Sequence, residues 1–261
     1  MNLEVLLKKA VEEGEIPRYL YKFREIDVEG HTENIFANSQ LWFSKPSDFN
    51  DPFDCQIGIE IENTKEAISM VLQKFSTTKT RAEINKKVKH YSKNKAEYSQ
   101  LVKTTISSFI NAQAICCFAG DENSKSNILM WSHYAKSHQG ICLKFDVLKD
   151  TEFFSKALKV NYQKEYPKCN YAKNSDFFVE NLITTKAKIW EYEEEVRILR
   201  DYSALYTFKN EALVEVCFGC NCSKENIRKV KKLIIEKKIN HLEFTKAKIS
   251  KSKYELKFER L

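Results

Sequence analysis

The chain has 261 residues, 43% of them apolar and 30% charged, with only 6 Gly and 4 Pro and a formal charge of +7. This composition excludes a collagen-like or Gly/Pro-rich disordered chain, and no run approaches the roughly 18 apolar residues of a membrane span, so no membrane partner is expected. Acids interrupt the apolar stretch of MNLEVLLKKAVEEGE, which argues against a secretory signal; a cytoplasmic location and reduced cysteines are the expectation.

Apolar residues at helical spacing (Leu3, Leu6, Leu7, Ala10, Val11) predict a first helix over 3–13, stopped by Gly14 and Pro17. Strands follow at Tyr19–Phe23 and Gln40–Ser44, with a short helix at Glu33–Ala37 between them. KPSDFNDPFD, residues 45–54, reads as irregular. Residues 64–112 are polar, Lys-rich and helical in period, which suggests a helical insertion or lid set between β segments. Further strands are expected at Ala114–Phe118, Ile141–Phe145, Leu158–Tyr162 and Glu193–Leu199, with helices at Ile128–Ala135 and Ser175–Lys188. The end, 213–261, reads as strand (Leu213–Phe218), helix (Lys224–Lys238) and hairpin (Leu242–Ile249, Tyr254–Phe258). Without regular βα alternation, the expectation is a single α+β domain over 1–261 with a mixed, mainly antiparallel sheet.

The positive charge is local. Residues 221–261 hold 13 Lys/Arg against 5 Asp/Glu, which leaves the other 220 residues at −1. In the 224–238 helix, Ile227, Val230, Leu233, Ile234 and Ile235 are expected to be buried, while Arg228, Lys229, Lys231, Lys232, Lys237 and Lys238 form either a solvated face or a nucleic-acid contact.

Four stretches can carry chemistry. In Trp190–Arg197, strand alternation would place Glu193, Glu195 and Arg197 on one face. Such paired carboxylates suit stabilisation of a ribosyl or glycosyl cation, or else form a surface Glu–Arg ladder. In Leu41–Asp54, Asn50-Asp51-Pro52 is a turn signal flanked by Trp42, Phe43, Phe49 and Phe53, which is enough aromatic surface to hold a planar base. In Met130–Cys142, His133 is either a buried structural histidine or a catalytic one, and its spacing to His138 does not match a helical zinc pair. Cys217, Cys220 and Cys222, with Cys169 as a conceivable fourth ligand, lack a second pair at zinc spacing, so no metal is expected. A metal-dependent phosphoesterase using Asp48, Asp51, Asp54 and the late glutamates is a further alternative. No GxGxxG, P-loop or GxSxG occurs.

LYKFR, LWFSKPSDFNDPFD, MWSHYAKSHQGICLKF and WEYEEEVR, in order over about 19–200, resemble the family called domain of unknown function 2971, which is widespread in bacteria. The order of the early strand, short helix, second strand and late Glu-rich strand looks, more weakly, like the ADP-ribosyltransferase plan. That second resemblance implies an NAD-cleaving or ADP-ribosyl-transferring enzyme, a toxin or anti-phage effector, with NAD as substrate. Carried onto this chain, it implies Glu195 as the catalytic group and Glu193 as acceptor-orienting, with Tyr21 or Arg24 in the early gripping role. Trp42, Phe43, Ser44, Asn50, Asp51, Trp131, His133, Tyr134 and Arg197 are the further candidates for the nucleotide. The alternative is a nucleotide or nucleic-acid binding module without catalysis, using the aromatic loop and the basic C-terminal helix.

Overall fold

The computed structural model describes every residue except 1–2, 28–29, 57, 76–79, 121–122, 171 and 173–177, and the side chains of all described residues except Leu3, Cys169, Phe178 and Val179. In chain order the elements are α1 (Leu3–Glu12), β1 (Tyr19–Arg24), α2 (His31–Asn38), β2 (Gln40–Trp42), β3 (Gly58–Glu60), α3 (Lys65–Phe75), α4 (Arg81–Lys93), α5 (Lys95–Ala112) and β4 (Ala114–Ala119). There follow α6 (Ile128–Tyr134), β5 (Ile141–Asp146), β6 (Ala157–Lys159), β7 (Asn161–Gln163), β8 (Lys168–Asn170), α7 (Phe178–Thr184), β9 (Thr185–Ala187) and β10 (Glu195–Arg200). The chain ends with β11 (Leu205–Thr207), β12 (Leu213–Phe218), α8 (Lys224–Glu236), β13 (Glu243–Ile249) and β14 (Leu256–Arg260). The fold is α+β.

Three expected elements are differently drawn. The strand expected at Leu158–Tyr162 is two strands, because β6 pairs with β10 whereas β7 pairs with β9. The helix expected to reach Lys188 ends at Thr184, where the β-branched pair Thr184-Thr185 gives way to β9; its expected start at Ser175 lies outside the described residues. The strand expected from Glu193 begins at Glu195, since a 3-10 turn runs from Lys188 to Glu193 and Glu194 is left-handed at φ 45°.

The chain divides into two compact units, one of residues 1–44, 114–160 and 189–261, the other of 45–113 and 161–188. The first is built on an eight-stranded sheet of order β14-β13-β12-β5-β1-β4-β10-β6. Its described pairs are antiparallel except for β12 with β13. Strand alternation sorts its residues cleanly. Leu20, Cys116, Phe118, Leu143, Phe145, Val196, Ile198 and Val216 face the larger core, to which α2 adds Ile35 and Phe36 and α8 adds Val230 and Ile234. Tyr21, Phe23, Ala119, Cys142, Cys217 and Ala247 face the other way, onto Met130, Trp131 and Ala135 in and beside α6.

Asn127 starts α6: its side chain accepts from the Leu129 and Met130 amides, leaving its own amide group to donate to the Tyr192 carbonyl at 2.7 Å. Trp131 is wholly buried, with its indole N–H on the Lys125 carbonyl at 2.8 Å and its ring edge-on to Phe23 at 5.2 Å. After α6, Lys136, Ser137 and His138 are all left-handed, at φ 48°, 53° and 65°. Each such non-glycine residue costs roughly 1–2 kcal/mol. Glycines border this loop where no side chain fits. A Cβ on Gly140 would stand 2.2 Å from the Arg24 carbonyl oxygen, and one on Gly219 would stand 2.0 Å from that of His138.

In the second unit, α3, α4 and α5 bury Ile68, Val71, Leu72, Ile84, Tyr98, Val102 and Ile106 together. Each such large apolar side chain contributes about 1.5–3 kcal/mol by burial. Two parallel strand pairs, β3 with β8 and β7 with β9, complete the unit.

Candidate functional site

Strand register lines up one polar row across five strands of the first unit's sheet. Glu215 of β12 is opposite Lys144 of β5, Lys144 opposite Tyr21 of β1, Tyr21 opposite Ala119 of β4, and Ala119 opposite Glu195 of β10. The row therefore reads acid, base, tyrosine, alanine, acid. Lys144 Nζ stands 4.0 Å from the Tyr19 ring centroid and 5.8 Å from that of Tyr21, in cation–π reach of both. Glu215 takes the Lys125 ammonium and the Thr245 hydroxyl on one oxygen. At the other end, Arg197 is fully buried and donates from Nε and Nη2 to the two oxygens of Glu195 at 2.7 and 3.1 Å. Between these strands, burial and the neighbouring Glu195 carboxylate push the Cys117 thiol well above its ordinary range, so it stays protonated.

The three consecutive glutamates have separate fates. Glu193 is buried and accepts the Tyr134 hydroxyl at 2.6 Å. Glu195 is buried against Arg197. Glu194, turned outward by its left-handed backbone, is exposed and lines a cavity of about 330 Å³ with Tyr192, Asn123, Ser124, Ser126 and Asn127. The Gly120 amide holds the Glu194 carbonyl at 2.7 Å. Sequence reading missed both Glu194 and Asn127. The signal for Asn127 was present, an Asn directly before an apolar helix. Nothing in a run of three glutamates marks which one breaks the strand.

Of the residues singled out from sequence, Tyr21, Tyr134, Glu193, Glu195 and Arg197 gather on the α6 side of the sheet, while others do not. Arg24 sits on the opposite face, since it alternates with Tyr21 and pairs with Ile141 of the larger core. Burial lowers its guanidinium pKa, and Asp27 lies 3.8 Å away. Phe43 is wholly buried between Tyr206 and Phe153 at 4.8 and 5.8 Å, and Trp131 is equally enclosed, so neither ring has a free face for a base. Arg197, spent on Glu195 with no exposed surface, is likewise closed to a diphosphate. Trp42 is part-exposed, 6.0 Å from the His31 ring. Ser44 bonds Ile115 through its backbone in both directions. His133 is exposed, not buried. It follows the buried Trp131 by two positions, roughly 200° around the helix, and its ring lies 6.3 Å from Trp190 and 6.5 Å from Tyr192. Asn50 and Asp51 belong to the second unit, where Asp51 accepts the Phe53 amide at 2.9 Å, as a turn requires.

The Met130–Phe145 and Trp190–Arg197 stretches thus meet in one place, through Tyr134 with Glu193. Residues 130–198 match the family model DUF2971, a protein of unknown function. The matched segment takes in most of α6, the elements from β5 to β9 and most of β10, and hence two of the four motifs quoted above; LYKFR and LWFSKPSDFNDPFD fall outside it. No curated protein and no solved structure matches the chain.

Around the DUF2971 segment, burial pushes the Cys217 and Cys222 thiols up to about 12 and about 11. The Cys169 side chain lies outside the described residues. Among the described residues, no group of three or more His, Cys, Asp or Glu could hold a metal, and no helix is long and apolar enough to cross a membrane. On α8, Lys229 pairs with Glu225 and Lys232 with Glu236, while Val230 and Ile234 are buried. Ile235, expected inside, is exposed, because it stands roughly 100° around the helix from Ile234.

Proposed function

We propose that the protein cleaves the nicotinamide–ribose bond of NAD, passing the ADP-ribosyl group to water or another nucleophile, at the cavity walled by Glu194 and Tyr192. The observation that carries this reading is the division of the glutamate triplet. Two carboxylates are fixed by Tyr134 and Arg197, and the third is held on a strained backbone at the cavity wall. In the reaction, the C1′–N bond breaks with its electron pair leaving on nicotinamide. The Glu194 carboxylate faces the positive charge that develops on the ribose, and the incoming nucleophile gives its proton to that carboxylate or to solvent. Tyr192 offers a ring for the departing nicotinamide, and the exposed Ser126 offers a hydroxyl to the ribose. Glu193 and Glu195 serve as positioning residues. The Glu195 carboxylate, expected from sequence to do the chemistry, would keep β10 in place through Arg197.

The test is nicotinamide release from NAD by the purified full chain, with and without cell lysate as a source of acceptor. Release that falls at least a hundredfold in Glu194→Gln, with KM little changed, supports the reading. Absence of release under all conditions overturns it, as does a fully active Glu194→Gln.

A further inference from the structure

The second unit contains a cleft of about 420 Å³ that the proposed reaction does not use. It is lined by the whole of β9, by Gln163 at the end of β7 and the 164–166 segment that follows, and by Phe53 and Gln56. Lys186 of β9 lines it, and its side chain is only 7% exposed. Its ammonium lies 3.7 Å from one carboxylate oxygen of Asp54, whose other oxygen accepts the Cys55 amide at 2.7 Å. Cys55 is left-handed at φ 53°, so the chain spends conformational energy to turn back at this point. A second cation, Lys164, is exposed on the same wall, together with the Glu165 carboxylate.

Two aromatic rings sit on the wall of this cleft with much of their surface open. Phe53 is 64% exposed and Tyr166 48%. A single exposed ring needs no explanation, but two on one concave surface, next to two lysines and the amides of Gln56 and Gln163, make a recognisable combination. Open aromatic surface beside the exposed Lys164, with side-chain amides on the same wall, fits a planar heterocycle that carries a phosphate.

We infer that this cleft binds a nucleoside monophosphate, its base against Phe53 and Tyr166 and its phosphate toward the exposed Lys164 and the Asp54-paired Lys186. Gln56 and Gln163 meet polar atoms of the base or ribose, and the Glu165 carboxylate is placed to accept from ribose hydroxyls. This site is separate from the Glu194 cavity and does not depend on NAD cleavage.

Calorimetric titration of the full chain with AMP, adenosine, ribose 5-phosphate and inorganic phosphate tests it. AMP should bind at least tenfold more tightly than each of the other three, because only AMP engages rings and lysines together. Phe53→Ala and Tyr166→Ala, both at exposed side chains, should each weaken AMP at least tenfold with the circular dichroism spectrum unchanged. Lys164→Ala should weaken it and flatten its salt dependence, while Glu194→Gln leaves it unaltered. The inference is overturned if AMP does not bind or binds no better than ribose 5-phosphate. It is equally overturned if the affinity ignores both ring substitutions, or if Glu194→Gln abolishes binding, which would assign the nucleotide to the other cavity.

Discussion

Glu195 and Arg197, two positions apart on β10, form a two-pronged ion pair with the arginine wholly buried. Burying both charges is costly, so the pair is a poor source of net stability but a strong constraint once formed. Replacing Arg197 with Met leaves the Glu195 carboxylate inside without its guanidinium, and the expected loss is about 3–5 kcal/mol in urea unfolding. Glu195→Leu combined with Arg197→Met should recover part of that loss. A double variant no more stable than Arg197→Met alone would contradict the account.

Glu194→Gly should separate stability from activity. Glycine takes φ 45° without the side-chain clash, so the variant should gain about 1 kcal/mol in unfolding free energy. The same change removes the carboxylate from the cavity, and nicotinamide release should disappear.

Asn127→Ala removes the α6 cap and the tie to the Tyr192 carbonyl together. A cap alone is worth about 0.5–2 kcal/mol. Because the second bond positions the cavity wall, KM for NAD should rise even at temperatures where the variant stays folded. Asn127→Asp keeps the cap acceptor but lacks the donor to Tyr192, so it should recover stability and not KM.

His138 makes stability depend on pH in a defined direction. Its Nδ1 is buried without a hydrogen-bond partner, its Nε2 meets the Ser132 hydroxyl at 3.1 Å, and burial lowers its pKa below the usual 6.5. Above about pH 6.5 the ring is neutral in both folded and unfolded chains and contributes nothing. As pH falls below that value the unfolded chain takes up a proton that the folded one resists, so stability declines until the depressed folded pKa is passed, then levels. Urea midpoints measured from pH 7.5 to 4.5 should show a smaller decline in His138→Gln than in the parent.

Cys217 and Cys222 should resist alkylation in the native protein at pH 8, since their thiols are held at about 12 and about 11 by burial. Mass spectrometry after a short iodoacetamide pulse should find both modified only when denaturant is present. Native-state labelling of Cys217 would contradict its enclosure in the core on the α6 side of the sheet.

The elements built on strong periodicity were legible in the sequence. The aromatic-rich Tyr19–Phe23 and the apolar run Ile141–Phe145 marked two central strands, each one residue longer in the structure, and the five-position apolar repeat of α1 marked a helix. The three-residue strands β3, β8 and β11 left no such trace, because a segment that short has no period to read and exists through its partner. At the site, residue types were legible but not directions. Trp131 and Phe43 read as binding aromatics and proved to be core, since a polar neighbourhood in sequence says nothing of which side of an element a ring occupies. The left-handed residue at Glu194 delayed the start of the strand to Glu195 and turned its own carboxylate outward, while Glu193, Glu195 and Arg197 kept the common side that alternation gave them.

The contacts at Gly140 and Gly219 fix the seat of the loop that follows α6. Only hydrogens separate these residues from the carbonyls of Arg24 and His138, so the loop after α6 is seated at the closest distance that backbone atoms permit. A methyl group at either position would act as a wedge. At Gly140 it would press on the Arg24 carbonyl and on Ala135, which directly follows Tyr134, and at Gly219 on His138. The Tyr134–Glu193 contact thus lies at the end of α6 that this loop adjoins, next to two places where the chain has nothing to spare.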